Sequence, residues 1–406
     1  MRVLRPGYDE PVPRPAMRSE TFDGVLVERV LVPQPPTWAE KVGIGRAWQE
    51  HTARQLLAKR ACKLAVTGNA DILHGQHKVS AGAASIAART ARESGARAAS
   101  VATVRDYWPL CPVSTRLFAR PDGSSFECRQ CHRLLAYLRA VARSSGLASV
   151  QTALAPLRWL STLASSRLLA TCDATIAVSR YVRDELAISG RLDGTRLYNI
   201  PNLVHLPSVE RALATEWPLN DISPVDSFAL FVGKFDVNKG VDLLPRVLKQ
   251  AGVALPVVLA GDGPLKSQLA REAEALGLDF RFHEWLGNDA ILRLMQAARV
   301  LLFPSAWQEP LSRVLLEGCA VGAAIVALNT GGTGDIIAHG VSGWLACNQA
   351  EFAEGAKRVV EDDTLNLRIR AGARTRAETV FSAPVVSAGI EALYNSVLDD
   401  APGGAT

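Results

Sequence analysis

From residue 228 onward, short apolar runs alternate with longer stretches of helical period. The runs are FALFVGKF (228–235), PVVLAGDG (256–263), DFRFHEWL (279–286), VLLFPS (300–305), AIVALN (324–329) and GWLAC (343–347). Each predicts a short buried strand. Between them, 239–251, 264–277, 288–298, 309–322 and 333–339 predict helices. Strands alternating with helices predict crossover units and a parallel sheet covered on both faces. The turn chemistry agrees. Gly-Asp-Gly-Pro at 261–264 ends a strand and opens a helix, Asn288-Asp289 offers a cap, and Pro310 suits a first helical turn.

The first half repeats the pattern less cleanly. Strands are expected over 1–6, 24–32, 71–77, 98–106, 174–179 and 196–202, and helices over 38–60, 79–94, 131–144, 152–170 and 180–189. The stretch 205–227 has prolines and little periodicity, which predicts a linker. Helices are expected at 351–361, 363–379 and 383–397, the last packing back on the first domain, with a disordered tail after it. The fold class is therefore α/β, with two doubly wound, Rossmann-like domains facing across a cleft. The first domain covers 1–204, the linker 205–227, the second domain 228–380, and the final helix and tail 381–406. In such folds ligands sit at the carboxyl ends of the strands, where loops enter helix N-termini.

Composition narrows the class. A chain of 406 residues is long for one core, and 48% hydrophobic with 21% charged residues reads as a soluble globular protein. No run of about 18 apolar residues predicts a membrane span. MRVLRPGYDE lacks the apolar core of a signal peptide, so a cytoplasmic protein is expected. Seven cysteines, an odd and scattered count, favour reduced thiols over a disulfide framework. Charge is uneven. Residues 1–205 carry 28 Lys and Arg against 16 Asp and Glu, a net +12, and the remainder nets −7. The basic half suits an anionic acceptor or peripheral contact with an anionic membrane face. A solvated Arg-rich surface is the plain alternative. No nucleic-acid reading motif accompanies the charge, and no nucleic-acid partner is expected.

Two glutamates stand out in FPSAWQEPLSRVLLEGC (303–319). If a helix starts at Pro310, eight steps place the Glu309 and Glu317 backbones about 12 Å apart and roughly on one side. Glycosidase carboxylate pairs need about 5–9.5 Å, so a hydrolytic pair is disfavoured. The span suits two contacts on one extended ligand, with the helix dipole beside Glu309. Solvated surface charge is the plain reading, but Glu317 lies within the apolar run VLLEGCAVGAAIV. In FVGKFDVNKGVDLL (231–244), Gly233 allows close backbone approach, and Lys234 and Lys239 are candidates to hold a diphosphate. The glycine spacing and Gly-Lys-Ser/Thr of a Walker loop are absent.

FVGKFDVNKGVDLL, VVLAGDGPL, FHEWLGNDAILRLMQAARVLLFPSAWQEPLSRVLLEG and NTGGTGDIIAHGVSGWL together resemble, in order and spacing, the nucleotide-sugar domain of retaining GT-B-fold glycosyltransferases of the family-four (group 1) type. The first half matches more thinly, through DILHGQH, VATVRDYWPLCP, DATIAVSRYVRDEL and IPNLV. The resemblance implies transfer of a sugar from a nucleotide-diphosphate sugar to a glycan, lipid-linked or small-molecule acceptor. It implies that Glu309 lies near the donor sugar and Glu317 holds the ribose. Leu311, Ser312 and Arg313 would present backbone N–H groups, Lys234 and Lys239 would neutralise the diphosphate, and Trp285 and Leu286 would cradle the base. It further implies that the leaving phosphate accepts the acceptor proton, so neither a cofactor nor a catalytic metal is expected. A non-catalytic, sugar-nucleotide-binding or partner-binding relative is the rival reading.

Three departures accompany the resemblance. Ser312 stands where the family usually has glycine. Arg105, before Asp106, stands where many relatives have a histidine that touches the donor sugar. Arginine is no base but binds phosphate or carboxylate. Arg105, Asp106 and His77 are the candidates on the acceptor side. The start MRVLRPG lacks the family's opening strand, glycine loop and helix, which predicts an unfilled position in the first sheet. A misplaced start codon and a genuine divergence both fit. Cys111, Cys128, Cys131 and His132 are candidate structural-zinc ligands. A local structural role is the alternative, and Cys-x2-Cys-His also matches a haem-attachment string. The apolar segment 147–169, with Trp159, Arg158 and Arg167, fits a buried helix or one lying on a membrane surface.

Overall fold

The computed structural model describes residues 2–8, 12, 14–41, 45–120, 125–146, 149–192 and 196–400; of the tail expected to be disordered, 399–406, Asp399 ends the last helix and 401–406 lie outside the described residues. The first domain runs β1 (Arg2–Gly7), β2 (Ala16–Phe22), β3 (Val25–Leu31), α1 (Thr37–Lys41), α2 (Gly45–Val66), β4 (Ile72–Gly75), α3 (Lys78–Glu93) and β5 (Ala99–Val104). It continues with β6 (Leu117–Ala119), β7 (Ser125–Glu127), α4 (Leu134–Ser145), α5 (Val150–Ala170), β8 (Ala174–Ala177), α6 (Arg180–Ile188) and β9 (Leu197–Asn199). Its strands form a parallel sheet β4-β5-β8-β9, an antiparallel pair β6-β7 and a separate sheet β1-β3-β2. In the latter, β1 runs parallel and β2 antiparallel to β3. Among the described residues no strand joins β1 to β4.

After α7 (Leu206–Leu213), the second domain runs β10 (Ala229–Val232), α8 (Leu244–Ala251), β11 (Val257–Ala260), α9 (Lys266–Leu276), β12 (Phe280–His283), α10 (Asn288–Ala297) and β13 (Val300–Phe303). Then come α11 (Arg313–Ala320), β14 (Ile325–Leu328), α12 (Thr333–Ile336), β15 (Trp344–Ala346), α13 (Gln349–Glu361), α14 (Asp363–Arg376) and α15 (Ala383–Asp399). The six strands form one parallel sheet in the order β12-β11-β10-β13-β14-β15. β10, β11, β13 and β14 are almost wholly buried, because helices cover both faces. The order reverses direction between β10 and β13. A doubly wound sheet opens its ligand crevice at the carboxyl ends of such a strand pair.

The two domains touch along a continuous core that includes residues of both, and the chain crosses and returns at one place. Val204 N–H donates to Phe381 O at 2.7 Å, and Val204 bridges to Ser382. Beyond it α15 lies on the first domain, with Leu393 and Val397 buried against Ala99, Val101, Ala174 and Ile176. Each of those two side chains contributes about 2 kcal/mol of apolar burial.

The structure departs from the sequence pattern at three places. The stretch 205–227, read as a linker, carries α7 in its first part, which packs on α10. Val209 and Ala212, three residues apart, supply its buried face, and Pro207 sits in the first turn, where its missing N–H costs nothing. The strand β2 escaped the sequence pattern because all seven of its residues are exposed. The helix expected over 309–322 begins only at Arg313, and Ser312 caps it by accepting a hydrogen bond from Leu315 N–H.

Candidate active site

The crevice between β10 and β13 is built by two loops. After β10 the chain turns at Gly233 and Lys234, and Asp236 caps a short 3-10 turn, Val237–Lys239. Gly240 ends that turn at φ +67°, and a Cβ there would lie 1.8 Å from Pro304 O. Only glycine lets the two loops approach this closely. The approach brings Lys239 to the loop after β13. Lys239 Nζ lies 2.5 Å from Glu309 Oε1 and 5.4 Å from the centre of the Trp307 ring. Ser305 Oγ donates to the same Glu309 oxygen at 3.2 Å. Glu309 is 6% exposed. A carboxylate this buried needs a cation and hydrogen bonds, and here it has both.

The Glu309 loop is not helical because its backbone is bonded to its neighbours. Trp307 N–H donates to Asn238 O, Glu309 N–H to Trp307 O, and Gly332 N–H to Glu309 O. A Cβ on Gly331 would stand 2.3 Å from Glu309 O, so that loop lies directly on the glutamate. The first domain also holds it. Tyr107 O–H donates to Gln308 O at 2.5 Å, and Trp307 Nε1 donates to Thr115 O at 2.8 Å. Burial pushes the Tyr107 phenol far above its ordinary range, so it stays protonated and donates. The Arg116 guanidinium lies 4.2 Å over its ring and pairs with Glu185 at 2.6 Å.

Beside this lies a cleft of about 460 Å³, lined from the first domain by Arg105 and from the second by Asp289, Arg313 and Glu317. Asn202, His205 and Ser208 close it from the crossing between domains. Arg313 Nη2 and Glu317 Oε1 pair at 2.9 Å across one helical turn of α11. Leu311 and Ser312 are buried at the entry of that helix. Lys234 is exposed and pairs with Asp236 at 3.3 Å. Trp285 is 68% exposed, and Leu286 packs against the core.

Arg105 follows directly on β5, and its Nη2 donates to Gln76 Oε1 at 2.6 Å. Asp106 Oδ1 accepts from Trp108 N–H at 2.7 Å. Burial raises the Asp106 pKa, opposed by that bond and by the charges of His77 and Lys78. His77 is the N-cap residue of α3 and is exposed. His74 is a structural histidine: its ring bonds Tyr394 O–H at 2.6 Å and Thr103 Oγ1 at 2.7 Å. Desolvation, aided by the charge of Arg105, lowers its pKa to about 4.

Thus Glu309 and Lys239 meet, and Glu317 and Arg313 share a cleft with Arg105. Lys234, Trp285, Asp106 and His77 are not among the cleft's lining residues. Tyr107, Ser305, Gln308, His205 and Ser208 were not singled out in the sequence. For Tyr107 and Gln308 no spacing pattern could mark them, since they are bonded to each other across 201 positions of chain.

Among the described residues no group of three His, Cys, Asp or Glu is placed to hold a metal ion. The Cys131 thiol donates to Cys128 O at 3.1 Å, and its interaction with the neighbouring Cys111 and Cys128 thiols raises its pKa and lowers that of Cys128 to about 7. Burial and the neighbouring Arg191 lower the pKa of His132, whose backbone carbonyl accepts from Arg191 Nη2 at 2.6 Å.

Residues 2–206 match the sequence profile of Glycosyltransferase Family 4, and residues 220–376 that of Glycosyl transferases group 1. The chain belongs to the group 1 glycosyltransferases. The glycogen synthase of Mycobacterium tuberculosis is 28% identical over 242 residues, 56% of this chain and 55% of that protein. The O-antigen chain mannosyltransferase C of Escherichia coli is 30% identical over 179 residues, 43% of this chain and 48% of that protein. The chain spans about half the length of the curated relatives it matches. Among solved structures, Anabaena HepE in complex with UDP superposes with a TM-score of 0.59 at 19% identity, covering 91% of this chain and 86% of that one. Sucrose-phosphate synthase from Thermosynechococcus elongatus gives 0.62 at 17% identity, over 98% and 90%. These two likenesses are of fold, and the fold of this glycosyltransferase is GT-B.

Proposed function

We propose that the protein transfers a sugar from a nucleotide-diphosphate sugar to an acceptor, a glycan or a lipid-linked or small molecule, with retention of anomeric configuration. The observation that carries this reading is the pair of Lys239 with the buried Glu309, 2.5 Å apart at the strand-order reversal of a doubly wound sheet. A donor with its diphosphate near Lys239 and its sugar hydroxyls near Glu309 replaces that pair with two charge-matched contacts. Charge grows on the diphosphate as the glycosidic bond breaks, so Lys239, with Lys234 beside it, stabilises the transition state more than the ground state. Backbone N–H groups of Leu311, Ser312 and Arg313 at the start of α11 face the same charge. Glu317 takes the ribose hydroxyls, and Trp285 and Leu286 the base. The leaving phosphate takes the acceptor proton, so the scheme needs neither a protein nucleophile nor a metal. Arg105, Asp106 and His77 stand on the acceptor side. The UDP in the HepE structure supports a nucleotide donor.

The test is turnover of a panel of sugar nucleotides by the purified chain, with and without acceptors. Release of nucleoside diphosphate that disappears in Glu309→Ala is the expected result. Donor binding with no release under any acceptor would favour the non-catalytic reading.

One observation favours peripheral membrane contact at the inner face of the membrane, with the body of the protein in the cytoplasm. Val150, Ala153, Leu157, Leu160 and Ala164 form an exposed stripe at helical spacing along α5, flanked by exposed Arg158 and Arg167. Among the described residues no helix is long and apolar enough to cross a membrane. Flotation with anionic but not neutral vesicles, lost in a Leu157→Asp/Leu160→Asp variant, would support the contact. Equal flotation of the variant would refute it.

A further inference from the structure

The basic side chains around the cleft differ in one respect. Lys234, Lys239 and Arg313 each have a carboxylate within 3.3 Å. Among the described residues Arg105 has no ion-pair partner, and its side chain is bonded instead to the neutral amide of Gln76. Gln76 leads on to His74, at 3.0 Å between Nε2 atoms, and that ring is neutral above about pH 4. No compensating charge therefore lies behind Arg105. Partial desolvation lowers its pKa, with no carboxylate acting against it. The guanidinium is open to the cleft and shares it with the Arg313–Glu317 pair of the other domain.

A substrate that fills the cleft covers Arg105. If the covering group is neutral, a cation loses water without gaining a counter-charge, which opposes binding. If the group is a carboxylate or phosphate, the donors not used by Gln76 form charge-assisted, two-pronged hydrogen bonds. The second domain's cations already have partners of their own, and Lys239 lies outside the cleft lining.

We infer that Arg105 reads an anionic oxygen group, a carboxylate or a phosphate, carried by the transferred sugar or by the acceptor and separate from the donor's diphosphate. This rests on the glycosyltransferase reading for the identity of the substrates. The charge arrangement of Arg105 does not depend on it. The substrate class is then a nucleotide-linked uronic acid or a phosphorylated acceptor. Held by Gln76, Arg105 acts as a specificity residue for either.

The experiment measures binding to the full chain and to Arg105→Gln and Arg105→Lys by thermal shift and calorimetry. The probes are UDP and GDP alone, UDP-glucose against UDP-glucuronate, GDP-mannose against GDP-mannuronate, and glucose against glucose 6-phosphate. In one pair the wild type should prefer the anionic member about tenfold or more. Arg105→Gln should cut that preference to within about twofold, Arg105→Lys should keep part of it, and UDP or GDP affinity should not change. A preference in a nucleotide-sugar pair places the anion on the donor, and one in the glucose pair places it on the acceptor. The inference is overturned if no pair shows a preference, if the preference survives in Arg105→Gln, or if that variant weakens UDP or GDP equally. If neither nucleotide binds, yet glucose 6-phosphate is preferred through Arg105, the nucleotide-sugar reading fails and this inference stands.

Discussion

The two domains arrange the charges in and around the cleft differently. The second domain pairs its cations with its own carboxylates, Lys239 with Glu309, Arg313 with Glu317 and Lys234 with Asp236. The first domain presents Arg105 on a neutral amide and Asp106 with a raised pKa. The difference extends to the sheets: six continuous parallel strands in one domain, three separate sheets among the described residues of the other. A wall of mutually paired charges is preorganised and suits one constant ligand, under the proposed function the nucleotide diphosphate. A wall whose cation lacks a counter-charge is left for the substrate to complete, which suits the partner that varies.

The largest effect that would break this comparison is at Glu309. Glu309→Ala leaves Lys239 without its buried partner and should lower donor turnover by about 10³-fold, measured as nucleoside diphosphate release. Retained turnover would mean that the second domain's pairing is not the reacting site. On the first domain, stability should depend on pH through His74. Its pKa is about 4 in the folded chain, below the ordinary histidine value, so the unfolded chain binds the proton first. The stability from keeping the ring neutral is complete above about pH 6.5 and is lost as pH falls toward 4, by up to about 3 kcal/mol. Urea unfolding across that range should show the slope, and His74→Gln should flatten it.

A smaller effect is expected at Glu317. Glu317→Ala should weaken UDP or GDP binding about tenfold while leaving turnover at saturation within a few-fold, which titration calorimetry and kinetics would separate. The smallest is at the join between domains. Tyr107→Phe removes the bond to Gln308 O and should cost ~1 kcal/mol in unfolding free energy. If the two walls act together, that variant should also raise KM for the acceptor more than for the donor.

The strands of the second domain were legible because burial on both faces removes polar residues from them, leaving unbroken apolar runs such as Ala229–Val232. The wholly exposed β2 and the three-residue strands β6 and β7 left no such mark. The start of α11 was misplaced because Pro310 and Ser312 are both N-terminal signals. Local propensity did not separate them. The bonds of the Glu309 backbone to Trp307 and Gly332 did, by keeping 309–311 out of the helix.

By itself the sequence determined the alternation of strand and helix, the two-domain α/β class, and Glu309, Glu317, Lys234 and Lys239 as candidates. These follow from short-range rules, since period, turn residues and glycine positions are set within a few residues. Tertiary structure alone decided that Lys239 pairs with Glu309 across 70 positions of chain, that Tyr107 reaches from the first domain to hold that loop, and that Arg105 faces the cleft bonded to the neutral amide of Gln76. Such pairings depend on which strand ends the sheet order brings together, and no local pattern encodes that.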